Sequence, residues 1–344
     1  MQVEPPLITT IIPTYRRPQL LKRAIDSVLN QTYPNFQVCV YDNASGDETA
    51  EVVAQIARQD SRVKYFCHSE NIGAAKNFDY GMRQVKTEYF SFLSDDDILL
   101  PNFFEDAIKE FADFPDIAFY AGSVIMLKES GEVDWVPFDQ WESAGYHPAQ
   151  EGMLDMIAAN FPIWTGTLFH KKSIENVGFL DIDVQGPLDV DYLLRVASVL
   201  PYVIGKQPCA ILVMHAGSLS TIGHIDAMWP GWIKLTTKIV ENAALPQNIR
   251  TRAAELFRIC SAKSLFLIGL KAIQRKDFAS AHRAASYLSE YRNNPRYLAL
   301  KFLLPICKID FFRLLAVNGI YLLKKLTRNS AKLQTKYGWA ASKL

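Results

Sequence analysis

Three consecutive aspartates, Asp95, Asp96 and Asp97, close the run Phe90-Ser91-Phe92-Leu93-Ser94 and precede Ile98-Leu99-Leu100-Pro101. Adjacent carboxylates repel one another by on the order of a few tenths of a kcal/mol per solvated pair, unless a cation is shared among them. Hard oxygen ligands at the tip of a buried strand suit Mg2+ or Mn2+, which take one or two carboxylates and complete their shell with water and phosphate oxygens. The alternative is that the acids decorate the N-terminus of the helix that Pro101 opens, where negative charge is favoured.

Five other groupings carry chemistry. Asp189 and Asp191 stand in the first turn of a helical segment with Arg195 one turn on, so a carboxylate there could act as general base on a hydroxyl group. The same residues also read as a cap plus an i,i+4 pair between Asp191 and Arg195. His215 follows an apolar strand, and a neutral imidazole joins a metal shell only if the fold brings it to the aspartates. Pro13-Thr14-Tyr15-Arg16-Arg17-Pro18 ends the first strand, the place where an open α/β sheet binds ligands. Asp42-Asn43-Ala44-Ser45-Gly46-Asp47 is an acceptor-rich turn that could take donors from a base or ribose, or simply cap the next helix through Ser45 or Asp47. In Asn71-Ile72-Gly73-Ala74-Ala75-Lys76-Asn77, followed by Gly81, small residues admit a close helix while amide and ammonium groups face a phosphate; an ordinary helix start is the alternative.

The elements that must position these groups alternate. Leu7–Ile12, Phe36–Asp42, Val63–Cys67 and Tyr89–Leu93 are nearly continuous apolar runs, as strands buried on both faces require. Between them Pro18–Asn30, Asp47–Arg58 and Ala74–Gln84 have helical spacing, and Asn102–Phe111 follows Pro101. This is the pattern of a parallel sheet covered by helices. After about residue 115 the chain becomes α+β: Ile117–Leu127 and Trp164–Lys171 read as strands, Phe138–Gly152 as turn-rich, Val190–Val199 as a helix. From about Trp229 the reading is helical throughout. Near the end, Phe311, Phe312, Leu315, Ala316, Gly319, Leu322, Leu323 and Leu326 share one helical face, with Asp310, Arg313, Lys324 and Arg328 opposite. That helix packs on the domain or lies on an anionic bilayer.

Composition removes whole classes. The 344 residues hold 37 Lys+Arg against 36 Asp+Glu, 49% apolar residues and five scattered cysteines, which excludes collagenous, disordered and disulfide-scaffold chains and gives no cysteine zinc site. No glycine occurs before Gly46, so neither a dinucleotide fingerprint nor a phosphate loop exists at the first strand, and a sugar-nucleotide pyrophosphorylase lacks its loop for the same reason. The near-neutral total hides a division: residues 271–344 carry 15 Lys+Arg and 3 Asp+Glu, residues 1–270 carry 22 and 33. The acidic front argues against nucleic acid, and the basic end suits an anionic membrane surface. The opening MQVEPPLITTIIPTYRRP lacks a secretory pattern and no run of 18 uncharged apolar residues occurs, so a cytoplasmic protein, peripheral at the inner face of the plasma membrane, is expected.

In their order and spacing these elements resemble the inverting nucleotide-sugar transferases of family 2, which have the GT-A fold. The resemblance runs from about Leu7 to Ser220. It implies an α/β domain with a mixed, mainly parallel sheet over residues 1–225 (1–115 for the nucleotide sugar, 116–225 for the acceptor), followed by a helical, basic extension over 226–344. It implies nucleotide-sugar contacts from Pro13, Thr14, Tyr15, Arg16, Asp42, Asn71, Gly73, Lys76, Asn77, Asp95 and Asp96. The acidic loop matches the family's D-x-D element. Counting back from Pro101 makes Asp96 the principal ligand of Mg2+ or Mn2+, with Asp97 and His215 as further ligands and Ser94 where many relatives have the first acid. Ile163-Trp164-Thr165-Gly166 matches the acceptor side, which also takes in Asp191 and Arg195. Asp189 falls on the family's base, although Leu188-Asp189 stands where Glu-Asp is commoner. The implied reaction is metal-dependent transfer of one sugar from a nucleoside-diphosphate sugar to a saccharide or lipid-linked acceptor, in cell-surface polysaccharide or glycolipid synthesis; the processive synthases' Q-x-x-R-W motif is absent. The alternative is a non-catalytic relative that binds nucleotide or saccharide and scaffolds a partner.

Overall fold

A computed structural model describes residues 7–140, 144–159, 161–215, 225–291, 294–307 and 330–344. Strands β1 (Ile8–Thr14), β2 (Phe36–Asp42), β3 (Val63–Cys67) and β4 (Tyr89–Phe92) alternate with helices α1 (Pro18–Leu29), α2 (Thr49–Gln59) and α3 (Ala74–Arg83). The four strands run parallel in the order β3-β2-β1-β4. Every residue of β1 is buried, so its threonines need hydrogen-bond partners: Thr10 meets Ser91 of β4 at 3.1 Å and Thr9 meets Thr87, just before β4, at 2.7 Å. Gly81 is where α3 comes closest to the sheet, since a Cβ there would stand 2.5 Å from Ile11 Cγ2.

The second half adds β5 (Ile98–Leu99), α4 (Phe103–Asp113), β6 (Phe119–Lys128), β7 (Val133–Trp135), β8 (Gly145–His147), α5 (Glu151–Ala158), β9 (Thr167–His170), α6 (Lys172–Val177), α7 (Leu188–Ala197) and β10 (Tyr202–Met214). β9 lies between β4 and β6, antiparallel to both, and β10 runs parallel to β6 before pairing antiparallel with β5. The sheet is therefore mixed and, by length of paired strand, mainly parallel. Short β5, β7 and β8 and the helix α5 were not legible as elements, because two- and three-residue strands carry no period. The strand expected from Trp164 begins at Thr167 instead; Trp164–Gly166 form a 3-10 turn.

Contacts divide the chain into one unit of Met1–His215 with Tyr337–Leu344 and another of Ala216–Lys336. In the first, Ala341 lies against Gly131. The second holds α8 (Ile225–Val240), α9 (Gln247–Gln274), α10 (Phe278–Leu288), α11 (Pro295–Ile306) and most of α12 (Ser330–Tyr337). Its core gathers Trp229, Leu265, Ile273, Ala281, Leu288, Leu300 and Leu304. The amphipathic face expected over Phe311–Leu326 lies outside the described residues.

Candidate active site

Parallel β1, β2 and β4 all end on one edge of the sheet, and the loops that leave them carry the polar residues. The three aspartates follow β4, and β5 separates them from α4, whose first turn has its own Glu105 and Asp106. They therefore do not decorate that helix. All three are buried, and each is held differently. Asp95 accepts from Thr14 Oγ1 at 2.7 Å and from Arg17 Nη1 at 3.1 Å. Asp96 Oδ2 accepts from the same Nη1 at 2.8 Å and stands 2.9 Å from His215 Nε2. Asp97 accepts from Thr165 Oγ1 at 2.6 Å and from the Val213 amide at 3.0 Å. Arg23 Nη2 fixes the loop's backbone by donating to the Asp96 carbonyl at 2.8 Å.

Burial raises the Asp95 carboxyl to about 6, against the lowering influence of Thr14 and Arg17. Asp97 is also pushed up, by burial first and then by the charge of Asp96. Each oxygen of Asp97 takes one protein donor, which ties the loop to β10 and to the Trp164–Gly166 turn. His215, at the end of β10, is brought to Asp96 as the resemblance required.

A second network joins the first two loops. Arg16, at φ 55°, donates its amide to Ser45 Oγ at 2.8 Å and its Nε to the Ser45 carbonyl at 3.0 Å. Asp42 closes its own turn, accepting from the Ser45 amide and hydroxyl at 3.0 and 2.6 Å, with Tyr65 on its other oxygen at 2.6 Å. Its carboxylate is buried. Asn77 is likewise internal: Nδ2 donates to the Tyr41 carbonyl at 2.8 Å and Oδ1 meets His68 Nε2 at 2.9 Å. Asn71 Oδ1 accepts from Asn43 and from the Gly73 amide, both at 2.9 Å, which shapes the turn into α3. Tyr15, Arg16 and Lys76 are exposed, and Pro13 and Thr14 are buried at the end of β1.

On the acceptor side the outcome is divided. Trp164 stacks on Phe92 at 4.3 Å and 13°, with its buried Nε1 lacking a hydrogen-bond partner among the described residues. Gly166 is a packing glycine, because a Cβ would stand 2.5 Å from Val124 Cγ2. Arg195 donates to Asp191 at 2.8 Å and to the carbonyls of Val177 and Phe179 at 2.6 and 2.8 Å. Asp191 and Arg195 thus form the i,i+4 pair and brace the segment before α7. Asp189, half-buried at the start of α7, accepts from the Val190 amide at 2.9 Å, and burial raises its carboxyl above the ordinary range. That hydrogen bond is local to the first turn of α7 and does not tie Asp189 to the aspartate loop.

Arg17 was missed as a site residue. Its signal was present, a cation at the last position of Pro13-Thr14-Tyr15-Arg16-Arg17, facing three acids that need one.

Residues 9–178 match the family model described as Glycosyl transferase family 2. The chain belongs to that family. An uncharacterized glycosyltransferase of Rickettsia typhi is 28% identical over 241 residues, 68% of this chain and 73% of that one. A Rickettsia felis glycosyltransferase is 34% identical over 138 residues, 39% of this chain but only 22% of its own length. The GalNAc(5)-diNAcBac-PP-undecaprenol beta-1,3-glucosyltransferase of Campylobacter jejuni is 38% identical over 96 residues, 28% of this chain and 31% of that one. In fold, this family 2 enzyme is similar to S. aureus TarS 1-349 in complex with UDP-GlcNAc, at TM-score 0.62 and 16% identity over 89% of each chain. It also resembles a mannosyltransferase from Pyrobaculum calidifontis in complex with GDP-Man and Mn2+, at TM-score 0.53 and 16% identity over 96% of this chain and 87% of that one. The fold is GT-A, and the enzyme is a glycosyltransferase.

Proposed function

We propose that this family 2 enzyme is an inverting, metal-dependent transferase that moves one sugar from a nucleoside-diphosphate sugar to a hydroxyl of a saccharide or lipid-linked acceptor. The observation that carries the reading is the meeting of Asp96 and His215, 119 residues apart in sequence and 2.9 Å apart in space, at the loop edge of the sheet. One oxygen and one imidazole nitrogen converging there suit Mg2+ or Mn2+. Among the described residues no group of three His, Cys, Asp or Glu could hold an ion unaided, so phosphate oxygens and water would have to complete its shell. When bound, such an ion supplies Lewis acidity at the donor's diphosphate.

The chain's own residues account for the remaining steps. Tyr15, Arg16, Asn71, Gly73 and Lys76 line the donor side, while the Asp42 turn and Asn77 keep those loops in place. Asp189 takes the proton of the acceptor hydroxyl, whose oxygen attacks the anomeric carbon opposite the diphosphate. The bond to the diphosphate breaks, its electron pair leaves with the phosphate oxygen, and the single displacement inverts configuration. Trp164 backs the acceptor side by stacking on Phe92.

The lipid-linked acceptor is supported by the Campylobacter relative, whose name specifies an undecaprenol-linked one. Peripheral contact with an anionic membrane, at the inner face, is supported by the basic residues 271–344 and by exposed Leu298 and Phe302 on α11; no helix among the described residues is long and apolar enough to cross a membrane. The test is a thermal-shift panel of nucleoside diphosphates and their sugars with and without Mn2+. A Mn2+-dependent rise in melting temperature with one nucleotide, together with donor hydrolysis, supports the reading; no rise with any member overturns it.

A further inference from the structure

The aspartate loop contains a cation of its own. One nitrogen of Arg17, Nη1, bridges Asp95 Oδ1 at 3.1 Å and Asp96 Oδ2 at 2.8 Å. That same Asp96 oxygen is the one 2.9 Å from His215 Nε2. The Arg17 side chain is 28% exposed, against 8% for Asp95 and 11% for Asp96, so the guanidinium covers the carboxylates from the solvent side, where a ligand must arrive.

We propose that Arg17 is an exchangeable counter-ion: it neutralises the Asp95–Asp96 pair until a divalent cation takes Asp96, and then passes to the donor's diphosphate. The proposal rests on the assignment of Asp96 and His215 to a metal. Asp96 Oδ2 cannot serve a divalent ion and keep the guanidinium at 2.8 Å, because two cations on one oxygen repel strongly at low effective dielectric. Asp95 differs. Thr14 Oγ1 holds its other oxygen at 2.7 Å, so its contact with Arg17 survives as a pivot about which the guanidinium turns. Arg23, the other arginine at the loop, donates its Nη2 to the Asp96 backbone carbonyl. A planar guanidinium released in this way pairs well with phosphate oxygens.

This arrangement predicts effects of opposite sign from one substitution, which a residue that merely supports the fold would not give. MnCl2 is titrated calorimetrically into the full chain, as wild type, Arg17→Gln and Arg17→Lys. Whichever of UDP, GDP or dTDP raises the wild-type melting temperature most is then titrated at saturating MnCl2. Arg17→Gln is expected to bind Mn2+ alone at least tenfold more tightly and the nucleoside diphosphate at least tenfold more weakly. Arg17→Lys, which keeps the charge but loses the fork, falls between on both scales and carries the test should Arg17→Gln fail to fold. Unchanged or weaker Mn2+ binding by the variants, or both affinities moving the same way, overturns the proposal while leaving the metal site intact. Absence of Mn2+ uptake by every form, with or without nucleotide, removes the metal assignment and this proposal with it.

Discussion

The Thr165 hydroxyl donates to Asp97 Oδ2 at 2.6 Å, joining the turn before β9 to the aspartate loop after β4 across 68 residues of sequence. Asp97 also takes the Val213 amide, so one buried carboxylate fixes three segments of the site. Removing a donor from a buried carboxylate leaves part of its desolvation cost uncompensated, about 1–3 kcal/mol. Thr165→Val is therefore expected to lower stability by that amount in denaturant melts, with Thr165→Ser close to wild type. Equal stability of Thr165→Val and wild type would sink this role for Asp97.

Asp96 and Asp189 are expected to fail in different ways. Asp96→Asn weakens the oxygen that faces His215 and should remove the Mn2+-dependent part of nucleotide binding. Asp189→Asn cannot accept a proton, and a positioned general base contributes about 100- to 10,000-fold. Its turnover should fall by that factor while donor affinity, read by calorimetry, stays within about twofold, since the Asp189 carboxylate bonds within its own helix rather than to the donor loops. A parallel loss of donor binding in Asp189→Asn would count against its role as base.

The pH dependence follows from the direction of one shift. Burial raises the Asp189 carboxyl, and only its ionised form can take a proton. Turnover at saturating donor and acceptor should therefore fall as pH drops through the raised value, with the midpoint above the ordinary aspartate value of about 3.9. A rate that stays flat down to that ordinary value would exclude Asp189 as the group that titrates.

Much of this was legible in the chain. The buried parallel strands announced themselves as apolar runs, and the acidic loop, His215 and Asp189 stood out by type and spacing. What sequence could not separate was a polar residue that faces a ligand from one that faces its own backbone. Asp42, Asn77, Asp97, Asp191 and Arg195 all have types suited to binding, and in the fold each makes hydrogen bonds to a turn, a strand or a neighbouring group. That distinction depends on partners 3 to 116 residues away, which no local pattern encodes. Arg17 was overlooked for the opposite reason: a second arginine in a row reads as surface charge until the fold sets it on the acids.

Arg195 supplies a test of that distinction. Its guanidinium closes on Asp191 and on the carbonyls of Val177 and Phe179, and the Asp191 side chain is only 2% exposed. Breaking a buried pair from one side costs about 3–5 kcal/mol. Arg195→Met should show a loss of that order in chemical denaturation, and under conditions where it remains folded its KM for acceptor should match wild type. A large rise in acceptor KM with stability unchanged would instead support Arg195 on the acceptor side.

The last prediction concerns the helical unit. On α11, Leu298 and Phe302 are 58% and 70% exposed and one turn apart, with Lys301 between them. Two large apolar side chains beside a basic one, in a stretch that carries 15 Lys+Arg and 3 Asp+Glu, combine the two attractions that hold peripheral helices to anionic bilayers. Co-sedimentation with phosphatidylglycerol vesicles should exceed that with phosphatidylcholine and decline as salt screens the charge. Phe302→Asp should reduce it severalfold while leaving Mn2+ and nucleotide binding unchanged. Equal sedimentation with both lipids, or no effect of Phe302→Asp, would separate α11 from any membrane role.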